Sequence, residues 1–270
     1  MADCWIELDG DSAPDVLNTL SGDLTPGYDG SEKAARERTD ALQDELIRLQ
    51  ERLYAEDKHK LLIVLQAMDT GGKDGAIRKV FSGINPLGIT VARFERPTPV
   101  ELAHDYLWRV HAKVPARGQI VIFNRSHYED VLVVRVNDLV PKAVWKRRYG
   151  HIRAFEQLLA DEGTTILKFY LHIDADEQKA RLQARLDEPD KNWKFDEHDL
   201  EQRAHWSAYM AAFRDAIVET HRESAPWYVI PANKKWFRDY AMLRIIVDTV
   251  KRLDPQYPKP DFDPKTIRVV

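Results

Sequence analysis

Apolar and polar positions along the chain alternate between helical and strand periods. From Ser31 onward, Leu42, Leu46, Leu49 and Leu53 recur at three- and four-residue intervals, which predicts an amphipathic helix with one face in the core. Five short β-like runs then alternate with helical stretches: Leu61–Gln66, Ile89–Phe94, Gln119–Phe123, Thr165–Leu171 and Trp227–Pro231. Four of these are nearly continuous in apolar residues, the pattern of strands covered on both faces. Thr98-Pro99-Val100-Glu101 reads as a capping box with proline at the first helical position, and Ser126…Glu129 and Asp174…Glu177 repeat its spacing. Strands alternating with helices predict an α/β fold, a parallel sheet with helices on both faces. No internal repeat or low-complexity linker interrupts it, so residues 1–270 are expected to form a single domain. Within it, 1–30 form an irregular arm docked through Trp5, Ile6 and Leu8, and 254–270 a proline-rich tail extended over the surface.

Composition narrows the class. A chain of 270 residues buries ~75% of its unfolded surface without staples. With 44% hydrophobic and 31% charged residues it is no disordered or collagen-like polymer. The longest apolar run, Leu61 to Leu65, is far short of a membrane helix, and with no basic and apolar opening pattern no secretory signal is expected. Cys4 is the single cysteine, which excludes an intramolecular disulfide and a cysteine-based zinc site. A cytoplasmic protein with no membrane partner is expected. The formal net charge of -4 argues against a general nucleic-acid binder. Cations nevertheless gather locally, at Lys142, Lys146, Arg147 and Arg148, at Lys179, Arg181, Arg185, Lys191 and Lys194, and at Lys234 and Lys235. Such clusters in an acidic chain are either solvated helix faces or a focused site for a polyanion.

The strongest chemical signal is Ala67-Met68-Asp69-Thr70-Gly71-Gly72-Lys73-Asp74-Gly75, directly after the first predicted strand. A helical pattern follows, with Ile77, Val80, Phe81 and Ile84 on one side. Strand, glycine-rich loop with lysine, then helix is the context of a phosphate-binding loop, in which backbone N–H groups, the helix N-terminus and Lys73 all face an anion. Ala67 replaces the usual first glycine and Asp74 the Ser or Thr that holds Mg²⁺, while Asp69 puts a carboxylate inside the loop, where a cation must intervene. After the third strand comes Asn124-Arg125-Ser126-His127-Tyr128-Glu129-Asp130. Asn124 stands where a metal-binding aspartate is expected, so Glu129 or Asp130 is a substitute ligand. Arg125 either braces a migrating phosphoryl group or pairs with Glu129 or Asp130; His127 reads as a surface or cap residue. The segment 174–198 reads as a lid, with Arg181 and Arg185 on one helix face and Leu182 and Leu186 packing inward from the next.

Taken together, these pieces resemble the family-2 polyphosphate kinases. The similarity rests on Met68–Gly75, on Asn124–Asp130, and on Leu102-Ala103-His104-Asp105-Tyr106-Leu107-Trp108-Arg109. It also rests on the lid run Arg185…Asp187-Glu188-Pro189-Asp190-Lys191-Asn192-Trp193-Lys194-Phe195 and on Ala225–Phe237, and it spans roughly Lys60 to Leu253. The resemblance implies a thymidylate-kinase-like P-loop fold, a three-layer α/β/α sandwich with a five-stranded parallel sheet and a helical lid. It implies phosphoryl transfer between inorganic polyphosphate and adenine nucleotides with Mg²⁺, or Mn²⁺ in its place. The catalytic group is then Asp69, Lys73, Arg125, Glu129 and Arg181. Polyphosphate lies on Thr70, Gly71, Gly72, Lys73, Asp74, Gly75, Arg185, Lys191 and Lys194. The nucleotide lies on Arg93, Arg96, Asn124 and Arg125, and the metal on Asp69, Glu129 and Asp130. Many relatives carry aspartate at the position of Asn124, and His-Tyr-Glu-Asp resembles the subgroup that phosphorylates both AMP and ADP. A homo-oligomer is expected, with Trp145 and Trp236 either at its interface or in the core. The rival readings are an ATP-dependent kinase of a nucleotide or small molecule and a non-catalytic polyanion-binding module.

Overall fold

Five parallel strands form one sheet in the order β2-β3-β1-β4-β5: β1 (Lys60–Gln66), β2 (Ile89–Arg93), β3 (Ile120–Asn124), β4 (Thr164–His172) and β5 (Trp227–Pro231). A computed structural model describes residues 3–269. Each strand lies within one residue of its expected bounds. β1, β3 and β4 are central and buried along almost their whole length, as continuous apolar runs require. β2 is an edge, and Thr90, Val91 and Arg93 face outward there.

The pleat sends alternate residues of β1 into two cores. Leu61, Ile63 and Leu65 join α1 (Glu32–Glu56), α2 (Lys73–Val80) and α7 (Lys235–Leu253), whose Leu46, Val80 and Ile246 are wholly buried. Leu62 and Val64 join α3 (Lys142–Asp161) and α6 (Trp206–Thr220) through Ile152, Phe213 and Ile217. Between them in the chain, α4 (Ala175–Asp187), a 3₁₀ segment Pro189–Lys194 and α5 (Glu197–Ala204) occupy and extend just beyond the segment 174–198, which the sequence reads as a lid. The three-layer α/β/α arrangement is thus as expected. Among the described residues no helix is long and apolar enough to cross a membrane.

Local signals fared unevenly. Ser31 caps α1 by accepting from the Ala34 amide, and the reciprocal Thr98/Glu101 capping box forms in full. Asp174 caps α4, but Glu177 turns to Arg181 instead of closing a box. At Ser126 no capping box forms: the chain enters a tighter 3₁₀ turn, His127–Asp130, so the hydroxyl meets the Tyr128 amide rather than that of Glu129. The arm does dock, with Ile6 bridged to Val229, Trp5 edge-on to Tyr228 and Leu8 buried, though it also contains a helical turn, Val16–Thr19. The tail from Gln256 to Val269 is exposed. Trp145 is buried and Trp236 packs against Tyr28 and Phe237, so both complete the core.

Candidate active site

The loop leaving β1 owes its shape to two glycines and one strained residue. Gly71 turns back so tightly that a Cβ would lie 2.6 Å from the Ala67 Cβ and 2.8 Å from the Met68 carbonyl. Gly72 adopts φ +94°, and a Cβ there would meet the Arg238 guanidinium at 2.4 Å. Between Asp69 and these glycines, Thr70 is held at φ 61°. α2 begins immediately afterwards, so its first-turn amides head the cleft. Lys73 folds back under the loop, donating to the Ala67 carbonyl at 2.8 Å and the Met68 carbonyl at 3.3 Å. Burial, and then the repulsion of Arg125, lower its pKa to about 8, against the opposing pull of Asp69, Glu129 and Asp74.

β3 delivers the second motif. Arg125 also adopts a left-handed backbone, φ 62°, and its amide donates to the Leu65 carbonyl of β1. Its guanidinium pairs with Asp69 at 2.8 Å, not with Glu129 or Asp130. Asn124 donates to the Asp74 carboxylate at 2.7 Å, so the two departures from the usual loop pattern satisfy each other. An aspartate at 124 would face Asp74 as a second anion.

Glu129 and Asp130 part company. Burial raises the pKa of Glu129 against the pull of Arg125 and Lys73, and its side chain does not line the cleft. Asp130 points the other way, to Arg148 of α3 at 2.9 Å, where burial pushes its pKa up to about 6. Asp130 is therefore not a ligand at this site. The reason is geometric: successive side chains of a 3₁₀ turn are ~120° apart. His127 is no surface residue either. It is buried beside Glu156, in a network where Glu156 pairs with Lys168 at 2.6 Å and accepts from Tyr128 at 2.7 Å. That network anchors the turn from below.

The cleft measures about 910 Å³ and runs from β2 across the loop to the N-terminal part of α1. Thirteen Lys and Arg side chains line it against four carboxylates. Residues 69–75, Arg93, Arg96, Asn124, Arg125, Arg181, Arg185, Lys191 and Lys194 all reach it, as expected. Arg36, Arg78, Lys79 and Arg238 reach it too, and the sequence reading missed them. Arg78 and Lys79 carried a signal, one and a half turns along the helix that starts at Lys73; Arg36 and Arg238 needed the tertiary fold. On the lid, Arg185 is tied to Asp199 at 2.7 Å and to the Lys194 carbonyl. Leu182 packs inward, whereas Leu186 is exposed because the helix ends beyond the body at Glu188.

Arg181 differs most from expectation. Its guanidinium grips the Thr70 carbonyl at 3.0 Å, the Ala232 carbonyl at 2.8 Å and the Glu177 carboxylate at 2.6 Å. It is a brace for the loop, only 12% exposed, and not a free phosphate hand. Among the described residues no group of three or more His, Cys, Asp or Glu can hold a metal by itself. Mg²⁺ seldom needs one, since one or two carboxylates plus substrate phosphates and water complete its shell. Asp69, on the cleft wall, fits that role.

The chain is 59% identical over 245 residues to the AMP/ADP-polyphosphate phosphotransferase of Meiothermus ruber, covering 91% of this chain and 92% of that one. It is 44% identical to the ADP-polyphosphate phosphotransferase of Rhodopseudomonas palustris, over 87% of this chain and 86% of the relative. The crystal structure of polyphosphate kinase 2 from Arthrobacter aurescens superposes with a TM-score of 0.88 at 41% identity, covering 96% of both chains. The family model of Polyphosphate kinase 2 (PPK2) matches residues 29–258, which takes in every strand of the sheet, the loop, the Arg125 turn and the lid, and the chain belongs to that family.

Proposed function

We propose that the protein transfers phosphoryl groups reversibly between inorganic polyphosphate and adenine nucleotides, making ADP from AMP and ATP from ADP. The observation that carries this reading is the excess of thirteen cations over four carboxylates along a cleft that continues past the loop to Arg36 and Lys79. A nucleotide triphosphate alone leaves those outer cations unused; a linear polyanion uses them. The apolar lining is sparse, with Phe94 beside Arg93 and Arg96 at the β2 end, which suits one nucleotide there. Relatives named for AMP and ADP as acceptors support the same pair of reactions here.

The nucleotide's terminal phosphate oxygen attacks the terminal phosphorus of polyphosphate. The new P–O bond forms as the bridging P–O bond breaks, and the shortened polyphosphate leaves as its anion. The attacking oxygen is already ionised, so no general base is required and catalysis is alignment plus charge neutralisation. Arg93 and Arg96 hold the nucleotide's phosphate, and Lys194, Lys191 and Arg185 hold polyphosphate. The loop amides and Lys73 hold the phosphates at the point of transfer, and Arg125, 43% exposed and oriented by Asp69, neutralises the migrating group. Asp69 would hold Mg²⁺, or Mn²⁺ in its place, together with phosphate oxygens; the ion supplies positive charge where anions meet. The protein works in the cytoplasm, where adenine nucleotides are found.

An ATP-dependent kinase is the less favoured reading, since Asp74 takes the place of the metal-holding hydroxyl and is bonded to Asn124. Incubating AMP and Mg²⁺ with either polyphosphate or ATP, then resolving the nucleotides, decides between them. ADP formed from polyphosphate alone is expected. Product only with ATP refutes the proposal, and so does polyphosphate affinity that does not weaken as salt rises.

A further inference from the structure

The loop's strained shape is held from behind at three of its carbonyls, and one of the holders is a residue of the segment 174–198 not singled out so far. Arg181 takes the Thr70 carbonyl at 3.0 Å and Arg238 the Gly72 carbonyl at 3.2 Å. The Asp69 carbonyl is taken by Gln178 Nε2 at 3.1 Å. Gln178 is completely buried on α4, one turn before Arg181. Its other amide atom, Oε1, accepts from Arg203 of α5 at 2.9 Å, and the same Arg203 nitrogen donates to the Ala175 carbonyl at 2.7 Å. Arginine has donors only, so the atom facing Arg203 is the amide oxygen and the NH₂ group must face Asp69.

We propose that Gln178, oriented by Arg203, is a positioning residue for the phosphoryl-transfer site: it holds the Asp69–Thr70 peptide with its carbonyl turned out of the cleft. In a trans peptide the carbonyl and the following N–H point in opposite directions. Turning the Asp69 carbonyl outward therefore turns the Thr70 N–H inward, toward the phosphates. The same peptide joins the Asp69 carboxylate to a residue held at φ 61°, a conformation that a β-branched side chain resists. A flip of this peptide relieves that strain but points a carbonyl dipole at the substrate anion. Gln178 blocks the flip. Because it sits on the lid and its orienting arginine on the next lid helix, the packing of α5 on α4 sets the loop geometry.

Gln178→Glu isolates the effect. It keeps size and keeps an acceptor for Arg203, but opposes a carboxylate oxygen to the Asp69 carbonyl. This test rests on the proposed polyphosphate reaction, so the wild type is assayed beside the variants, with hydrogen exchange of the segment 67–73 as a readout independent of turnover. A fall in kcat of ~10-fold or more is expected, below the ~10²–10³ of losing a direct transition-state donor. KM for polyphosphate should stay within about threefold, Tm should fall by roughly 2–6 °C as the buried Asp69 carbonyl loses its donor, and exchange in the loop should quicken. Arg203→Met, which frees the amide to rotate, should shift kcat and exchange in the same direction but less. Unchanged kcat and exchange in both variants overturn the inference, as does a rise in KM with kcat intact. A wild type inactive with polyphosphate overturns the proposed function instead, while loop exchange still reports on Gln178.

Discussion

Lys73 offers a test in which function and stability move in opposite directions. Its ammonium is buried under the loop and its pKa lies near 8 instead of 10.5, chiefly through desolvation. At neutral pH, holding it charged therefore costs the folded state about 3 kcal/mol, the equivalent of that displacement. Lys73→Met removes this cost and keeps the length of the side chain. It also removes two hydrogen bonds, to the Ala67 and Met68 carbonyls, each worth ~1 kcal/mol. The Met68 carbonyl keeps the Gly71 amide as a partner. The balance is a net gain of about 1 kcal/mol at pH 7, or a rise of roughly 2–4 °C in Tm for a chain of this size. Turnover should meanwhile fall by at least ~10²-fold, as for loss of one preorganised cation.

The pH dependence makes the prediction specific. Between pH 8 and 10.5 the unfolded lysine binds more protons than the folded one, so wild-type stability rises with pH across that window. At pH 9.5 the wild type recovers ~2 kcal/mol that the variant never lacked. Denaturant unfolding of both proteins at pH 7 and pH 9.5, without phosphate anions, should show the variant ahead by about 1 kcal/mol and then behind by about as much. A variant several kcal/mol less stable at pH 7, or a difference flat with pH, refutes the account of a desolvated ammonium.

Three further substitutions probe the remaining contacts. Asp69→Asn preserves size but removes the anion that orients Arg125 and would hold the metal; turnover should drop at least ~10-fold and the Mg²⁺ titration midpoint should rise, with Tm within ~2 °C. Arg181→Ala should lower turnover and also cost ~1–3 kcal/mol in denaturant unfolding, because four acceptors, the Thr70, Ala232 and Asn233 carbonyls and the Glu177 carboxylate, lose their donor. Glu129→Asn removes a buried charge that acts on both Arg125 and Lys73, and it should lower kcat/KM for AMP more than for ADP, since AMP draws polyphosphate one phosphate deeper. An unchanged AMP/ADP ratio rules out that selective role.

Most of the fold was written in runs of apolar residues, because a strand buried on both faces has little choice of composition. The loop was equally legible, since its glycines answer to backbone geometry and not to distant partners. What sequence could not show is which way adjacent side chains turn in an irregular element. Glu129 and Asp130 looked equivalent as ligands, but one residue step of 3₁₀ helix, about a third of a turn, separates them and sends Asp130 to Arg148. Arg181 shared a helix face with Arg185, as the four-residue spacing required, but spacing names a face and not what opposes it. The loop's carbonyls oppose Arg181, whereas Asp199 and the Lys194 carbonyl oppose Arg185.

The cations of the cleft thus divide by what already holds them. Arg181 and Arg238 spend most of their donors on protein carbonyls and carboxylates, and Lys73 spends two of its three on loop carbonyls, which fixes each cation and leaves few N–H groups for a substrate. Arg125 is different. It is 43% exposed, tied by one carboxylate, and mounted on a backbone at φ 62° whose amide is pinned to β1. Strain of order 1–2 kcal/mol at Thr70 and again at Arg125 persists because the neighbouring strands and braces over-determine both positions. Thr70 adjoins Asp69 and Arg125 is its ion-pair partner, so both strained residues lie where loop and second motif meet. A guanidinium held that way neutralises charge without moving, which is what transfer between two polyanions requires of it.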